Sequence, residues 1–166
     1  DYFEAQGFAI VSAVDLLSQV APLRGLLTEA KMDPHRQDMA RAVEIAGHIG
    51  ALDIGQAAIV ARGIVLGVES VEGTDAMLAR VGELSEEVRG TPVARAGVLA
   101  KIPKPQQDRR IDLPALGPPT ITGAARAGLA GIVFEADGVL FESSDVCINQ
   151  ANRAGLFLYG LTPEEL

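Results

Sequence analysis

The pattern of apolar and polar positions predicts four helices in this chain, and in one of them apolar residues clearly repeat with the period of a helix. The clearest segment is 33–52, where Asp33 is a suitable N-cap and Pro34 a suitable first helical residue. Thr74 is a suitable cap for a second helix. The predicted helices cover 33–52, 73–84, 117–130 and the first part of 143–160.

Short apolar runs rich in β-branched residues predict strands between these helices. Two pairs of runs predict hairpins, one around "ARG" (residues 61–63) and one with Asp137 and Gly138 at its turn. The predicted strands lie at the start of 7–17, in 96–102, at the end of 143–160 and in the hairpins 57–70 and 131–143, and 21–32 is predicted as a connection. We therefore predict an α/β or α+β fold, with packed helices on a mixed β-sheet in a single domain.

Composition narrows the class of protein. The chain has 166 residues, 48% of them hydrophobic, which suffices for one buried core. A net charge of −8 disfavours nucleic acid as a partner. Cys147 cannot form an internal disulfide and fits a reducing compartment, and no apolar stretch has the length of a membrane span. Because the chain begins with Asp1 inside an apparent element, we expect a piece of a longer protein.

Two polar segments follow predicted elements, and each has two interpretations. In the first, Asp53 and Gln56 form a turn between a helix and a strand, or Gln56 and nearby amides face a pocket. The second segment, "ESVEGTDAM", begins at Glu69, at the end of a predicted strand. Helix-start amides there suit a phosphate, and Glu72 and Asp75 suit a metal or a sugar hydroxyl. The alternative is a capped helix whose acidic residues complement its dipole.

The third segment, residues 101–114, is called the charged loop here. Its sequence, "KIPKPQQDRRIDLP", holds six charged residues and three prolines, and prolines restrict the backbone. Cations that hold phosphate oxygens and carboxylates that hold Mg²⁺ or orient water are what phosphoryl chemistry requires. The alternative is a solvated loop with local salt bridges. We favour the functional interpretation because the loop follows a buried strand.

Known catalytic patterns are absent from the sequence. It contains no P-loop, GxSxG, HExxH or paired-cysteine metal motif. His35 and His48 lie on the first predicted helix without an obvious metal partner, and we expect them to be surface or core residues.

Four segments in order resemble one known family: "GALDIGQAAIV", "GVESVEGTDAML", "GVLAKIPKPQQDRRIDLPALGPPTI" and "AGLAGIVFEA". Together they are similar to the UDP-2,3-diacylglucosamine pyrophosphatases of the LpxI type. The resemblance implies hydrolysis of UDP-2,3-diacylglucosamine to 2,3-diacylglucosamine 1-phosphate (lipid X) and UMP in lipid A biosynthesis, with Mg²⁺ or another divalent metal. It also implies a homodimer in the cytoplasm, with peripheral contact to the inner membrane as an option. The family has two domains, so 1–32 would be a lead-in and connection from a missing N-terminal domain, and 33–166 the C-terminal catalytic or substrate-binding domain.

The resemblance also suggests residue roles. Asp108 matches the aspartate of the family's charged loop and is the candidate for the essential acid. Its carboxylate would bind metal or, alternatively, orient the attacking water. The other metal candidates are Asp112, Glu72 and Asp75. The candidates for binding substrate are Lys101, Lys104, Gln107, Arg110, Gln56 and Thr74.

Two other functions remain open at this stage. The chain could be a substrate-binding and dimerisation module whose chemistry needs the N-terminal domain. It could also belong to a nucleotide- or sugar-phosphate enzyme outside lipid metabolism.

Overall fold

A six-stranded mixed β-sheet forms the centre of the fold. The computed structural model describes residues 2–9, 11, 23–109 and 112–165. The strands of this sheet are β1 (Gly25–Leu26), β2 (Ala57–Ala61), β3 (Ile64–Val68), β4 (Val98–Lys101), β6 (Gly131–Glu135) and β8 (Phe157–Leu161), while β5 (Ala115–Leu116) and β7 (Leu140–Phe141) form a second, two-stranded sheet. The order in the large sheet is β1-β8-β6-β4-β2-β3. Strand β6 runs parallel to β4 and β8, and the remaining neighbours are antiparallel.

Helices cover both faces of the large sheet. They are α2 (Arg36–Ala51), α3 (Gly73–Gly82), α4 (Pro118–Arg126) and α5 (Ser144–Ala154), while the short α1 (Tyr2–Ala5) has no buried residue, and 3₁₀ turns lie at Asp33–His35 and Pro163–Glu165. Alternate strand residues face opposite sides. Ile59, Leu99 and Ile132 share a core cluster with residues of α3, α4 and α5, whereas Val60 and Val133 share the other cluster with α2. Burial on both faces explains why the central strands are continuous apolar runs.

The predicted helices are confirmed, but two predicted caps are wrong. Asp33 lies inside the 3₁₀ turn and accepts a hydrogen bond from Arg36 Nε at 2.8 Å, so it caps nothing. Helix α3 begins at Gly73, and Thr74 is its buried second residue. The hydroxyl of Thr74 is used instead in contacts with charged side chains, described below.

The hairpin predicted over 57–70 is confirmed, and that over 131–143 is wrong. Arg62 and Gly63 join β2 to β3 with φ angles of 53° and 75°, as a type I′ turn requires. Residues 136–138 do form a turn, but β7 pairs with β5 rather than with β6. The reason is that β4 and β8 occupy both edges of β6 and leave no edge for β7.

The beginning of the chain departs from its prediction. Of the strand predicted within 7–17, only residues 7–9 and 11 are described; they are exposed and outside any strand, and the rest lies outside the described residues. The predicted connection contains β1, which pairs with β8. Thr28 adds a hydrogen bond, since its hydroxyl accepts from the Leu158 amide at 3.0 Å.

Candidate functional site

Strand directions bring several polar residues to one end of the large sheet. The register pairs Ala57 at the start of β2 with Lys101 at the end of β4. Gln56 precedes β2 and Glu69 follows β3, so both lie at the same end as Lys101. Glu135 ends β6, the parallel neighbour of β4. Open α/β sheets place ligands outside the carboxyl ends of their parallel strands, and this end of the sheet is therefore the candidate site.

A buried hydrogen-bond network joins four chain segments at this end. Lys101 Nζ donates to Thr74 Oγ1 at 2.9 Å and to the Ala115 carbonyl at 2.7 Å. Thr74 Oγ1 in turn donates to Glu69 Oε1 at 2.7 Å, and the other oxygen of Glu69 accepts from the Gln56 amide at 3.0 Å. Lys101 and Glu69 are each 5% exposed. A buried ammonium and a buried carboxylate are thus linked through one hydroxyl group.

Burial and neighbouring charge act in opposite directions on Lys101. Loss of hydration lowers the pKa of this ammonium, and the negative charges of Glu69 and Asp75 partly restore it. The desolvation effect is the larger one. Lys101 is therefore a poorly hydrated cation whose charge is stabilised by protein groups.

The first half of the charged loop is attached to the end of α2 and to Gln56. Lys104 Nζ contacts Asp53 Oδ1 at 2.8 Å, and this hydrogen bond and charge lower the pKa of Asp53. Gln107 Oε1 accepts from the Lys104 amide at 2.9 Å, and Gln107 Nε2 lies 3.5 Å from Gln56 Oε1 and 3.1 Å from Asp112 Oδ2. The loop is therefore held by protein contacts as well as by its prolines.

The second half of the loop is attached to β6. The guanidinium of Arg109 contacts both carboxylate oxygens of Glu135, with Nη2 and Oε2 separated by 3.3 Å. The Glu135 side chain is 5% exposed and that of Arg109 is 54% exposed. Arg109 therefore neutralises a buried carboxylate from the solvent side.

The predicted site residues fall into three groups. Lys101, Thr74, Gln56, Lys104 and Gln107 belong to the contacts just described, and Asp112 joins them through Gln107. On α3 the contacts are different: Glu72 pairs with Arg80 at 3.2 Å, and Asp75 accepts from Thr120 at 3.2 Å. Asp108 is exposed and its carbonyl accepts from the Asp112 amide at 2.9 Å, while Arg110 lies outside the described residues.

The described residues contain no group of three or more His, Cys, Asp or Glu side chains that could hold a metal ion. Asp108 and Asp112 nevertheless offer oxygen donors close together along the loop. Mg²⁺ is commonly held by one or two carboxylates with water and substrate phosphates, so this pair fits such an ion in donor chemistry. Glu72 and Asp75, engaged on α3, fit it less well.

Sequence reasoning missed one residue of the site and left another without a role. Glu135 is not among the residues that the sequence predicts for the site, although an acidic residue at the end of the apolar run "GIVFE" is an available signal. The sequence places Glu69 only at the end of a strand, and its two hydrogen bonds make it the anchor for Thr74 and Gln56. A buried carboxylate needs such partners.

Comparison with known proteins agrees with the resemblance seen in the sequence. A family model described as the LpxI C-terminal domain matches residues 23–159, most of the chain. The chain belongs to this family. As an LpxI C-terminal domain, it contains the charged loop and all four segments that carried the resemblance within the matched range.

A curated relative of this LpxI C-terminal domain is UDP-2,3-diacylglucosamine pyrophosphatase LpxI of Caulobacter vibrioides. The two are 48% identical in an alignment 166 positions long that covers 99% of this chain. The chain spans 59% of the length of that relative. None of the helices that the structure describes is long and apolar enough to cross a membrane.

Proposed function

We propose that this chain is the catalytic or substrate-binding part of an enzyme that hydrolyses UDP-2,3-diacylglucosamine to 2,3-diacylglucosamine 1-phosphate and UMP. The observation that carries the proposal is the 48% identity, across almost the whole chain, to a pyrophosphatase named for that substrate. Cations and carboxylates gathered at the carboxyl end of β4 and β6 support it, because a pyrophosphate needs both.

Asp108 is the proposed essential acid. It is an exposed residue of a loop that is held on both sides, by Gln107 just before it and Arg109 just after it. Its carboxylate would orient the attacking water or hold Mg²⁺ together with Asp112. Mg²⁺, when bound, would neutralise charge that develops on the pyrophosphate.

Lys104 and Lys101 are proposed to receive the phosphate oxygens in different ways. Lys104 is paired only at the surface, with an Asp53 side chain that is 70% exposed, so a phosphate can replace that partner. Two protons of Lys101 Nζ go to Thr74 and Ala115, and the third would point to a substrate that reaches the end of β4. Gln107, Gln56 and Thr74 would then hold these cations in place, and Arg110 would add a further positive charge.

The test is release of UMP by the protein in its full natural length, with Mg²⁺ present. Asp108→Ala should lower kcat by several orders of magnitude while the melting temperature stays within roughly 2 °C of wild type, because an exposed side chain contributes little to stability. Asp33→Ala is the matched control, because Asp33 is another exposed aspartate and lies at the opposite end of α2 from the loop, where it pairs with Arg36. Near-normal turnover by the Asp108 variant, or no turnover of this substrate by the wild type, would contradict the proposal. UDP-glucose as a second substrate separates an enzyme of lipid metabolism from a general nucleotide-sugar hydrolase.

A substrate-binding and dimerisation module is the second candidate. The observation in its favour is that this chain spans only 59% of the relative's length, so chemistry could require the remainder. The isolated chain and the full-length protein should be compared for mass in solution and UMP release. Full turnover by the isolated chain would refute the module. We also propose a domain boundary between residues 32 and 33, a homodimer, a cytoplasmic location and peripheral membrane contact. Lipid X and UMP are the proposed products.

A further inference from the structure

The ion pair between Arg109 and Glu135 lies one residue beyond the proposed essential acid. We infer that this pair is a clamp that positions Asp108, and that Arg109 is a positioning residue rather than a contact to substrate. The inference rests on the proposed function in that it names Asp108 as the group being positioned. Its structural basis is independent of any substrate.

Glu135 is a fixed point in the fold. It is the last residue of β6 and is paired in register with Leu161 of β8. The turn that follows packs closely against its side chain, since a Cβ added to Gly138 would lie 2.7 Å from Glu135 Cδ and 2.6 Å from Pro103 Cγ. A side chain at position 138 would therefore displace either the carboxylate or the proline of the charged loop.

The geometry of the pair transmits that fixed position to the loop. Arg109 presents two nitrogens to the two oxygens of Glu135, and such a fork restrains the guanidinium in direction as well as distance. Gln107, the residue before Asp108, is restrained because its side chain accepts a hydrogen bond from the Lys104 amide at 2.9 Å. Asp108 lies between these two attachments, and its carbonyl accepts a hydrogen bond from the Asp112 amide. Displacing Arg109 should therefore move the Asp108 backbone.

Charge and burial distinguish a clamp from a substrate contact. The Glu135 carboxylate is almost completely buried, so losing Arg109 would leave an unpaired charge away from water. A phosphate that recruited Arg109 would have to create that unfavourable state. Both oxygens of the Glu135 carboxylate face Arg109, and its negative charge would repel a pyrophosphate, so we expect any kinetic effect of changing it to act through Arg109 or the loop.

The decisive variants are Glu135→Gln, Arg109→Met and the double variant in the full-length protein, with Arg109→Lys to test rescue. Arg36→Ala, which breaks an exposed arginine–aspartate pair at the start of α2, is the control. The clamp predicts that kcat for UDP-2,3-diacylglucosamine falls about 10- to 100-fold with KM changed less than about threefold, because misplacement by a fraction of an ångström costs rate. The double variant should be no slower than the worse single variant, since both remove one interaction. Arg109→Lys should recover only part of the rate because it keeps the charge and loses the fork.

Hydrogen exchange supplies a readout that does not depend on activity. The amides of Gln107 and Asp112 are bonded within the loop, to Lys104 and Asp108. They should exchange roughly tenfold faster in the Glu135 and Arg109 variants, while the amide of Val133 in β6 keeps its protection. Unchanged loop exchange would overturn the clamp, as would a rise in KM at constant kcat. If the wild type does not hydrolyse the substrate, the proposed function fails and the exchange comparison still decides the clamp.

Discussion

Thr74→Val tests whether one hydroxyl group links the buried charges of the site. Valine has almost the shape of threonine, so the change removes the bonds to Lys101 Nζ at 2.9 Å and Glu69 Oε1 at 2.7 Å without leaving a cavity. Hydrogen bonds to charged groups contribute about 1.5–3 kcal/mol each. Since Lys101 keeps the Ala115 carbonyl and Glu69 keeps the Gln56 amide, we use the lower value for both. The variant should lose about 3 kcal/mol in the free energy of unfolding.

The assay is urea and thermal unfolding followed by circular dichroism at pH 7. For a chain of this length, a loss of about 3 kcal/mol corresponds to a fall in Tm of roughly 6–12 °C. Thr74→Ser keeps the hydroxyl and should recover most of the stability. Thr120→Val is the matched control, because Thr120 is also buried but donates a single bond, at 3.2 Å, to the exposed Asp75. That carboxylate can bind water instead, so the control should lose about 1 kcal/mol or less.

Equal losses in the Thr74 and Thr120 valine variants would refute the reasoning. Such a result would mean that Lys101 and Glu69 pair directly or recruit water once the hydroxyl is gone. The urea m-value must be the same in all variants, since a changed m-value would indicate a changed denatured state rather than a lost contact.

Three further predictions concern two glycines and a buried thiol. Gly97→Ala should destabilise the fold by at least about 1–3 kcal/mol in urea unfolding, because Gly97 has φ +88° and its Cβ would lie 2.7 Å from that of Ala61. Gly47→Ala, where the Cβ meets nothing within 4 Å inside α2, should instead stabilise it by about 0.5–1 kcal/mol, and destabilisation there would contradict the helix assignment. Burial raises the pKa of the Cys147 thiol from 9.0 to about 11, so its stabilising contribution is complete below pH 9 and is lost as pH rises towards 11. At pH 8 a disulfide reagent should label Cys147 only after denaturation, and rapid labelling of the folded chain would show that the thiol is accessible.

Local signals in the sequence were sufficient for the helices and for the first hairpin. Arg62 and Gly63 both adopt left-handed backbone, and a two-residue turn of this kind has a local sequence signal, although the distant Asp38 also accepts hydrogen bonds from both turn amides at 2.8 Å. Asp137 and Gly138 give a similar local signal and do form a turn. The strands on either side of it then take different partners, because the pairing of β6 depends on the distant strands β4 and β8. Local composition carries no information about that competition.

Composition identified the charged loop but not the partners of its charges. Lys101 was expected to contact substrate, and its neighbours at the end of β4 turn out to be a threonine and a carbonyl 27 and 14 positions away. Thr74 has the residue type of a helix cap and lies in the first turn of α3. Its hydroxyl nevertheless bonds to a buried ammonium, because a buried charge needs a hydrogen-bond partner more than helix-start amides that can bond to water. Tertiary contacts therefore decide whether a polar side chain caps a helix, pairs with a buried charge or meets a substrate.

The exposure of the carboxylate that pairs with each cation decides which cation of the loop can bind a substrate instead. Lys104 and Arg109 are each paired with a carboxylate, but Asp53 is 70% exposed whereas Glu135 is 5% exposed. The Lys104–Asp53 pair is open to solvent and therefore weak, so a phosphate, which carries more negative charge than a carboxylate, can replace Asp53 as the partner of Lys104. Taking Arg109 from Glu135 would strand a buried charge and oppose binding. Of these two cations of the loop, Lys104 is therefore exchangeable and Arg109 is fixed, and the position proposed for catalysis, Asp108, adjoins the fixed one.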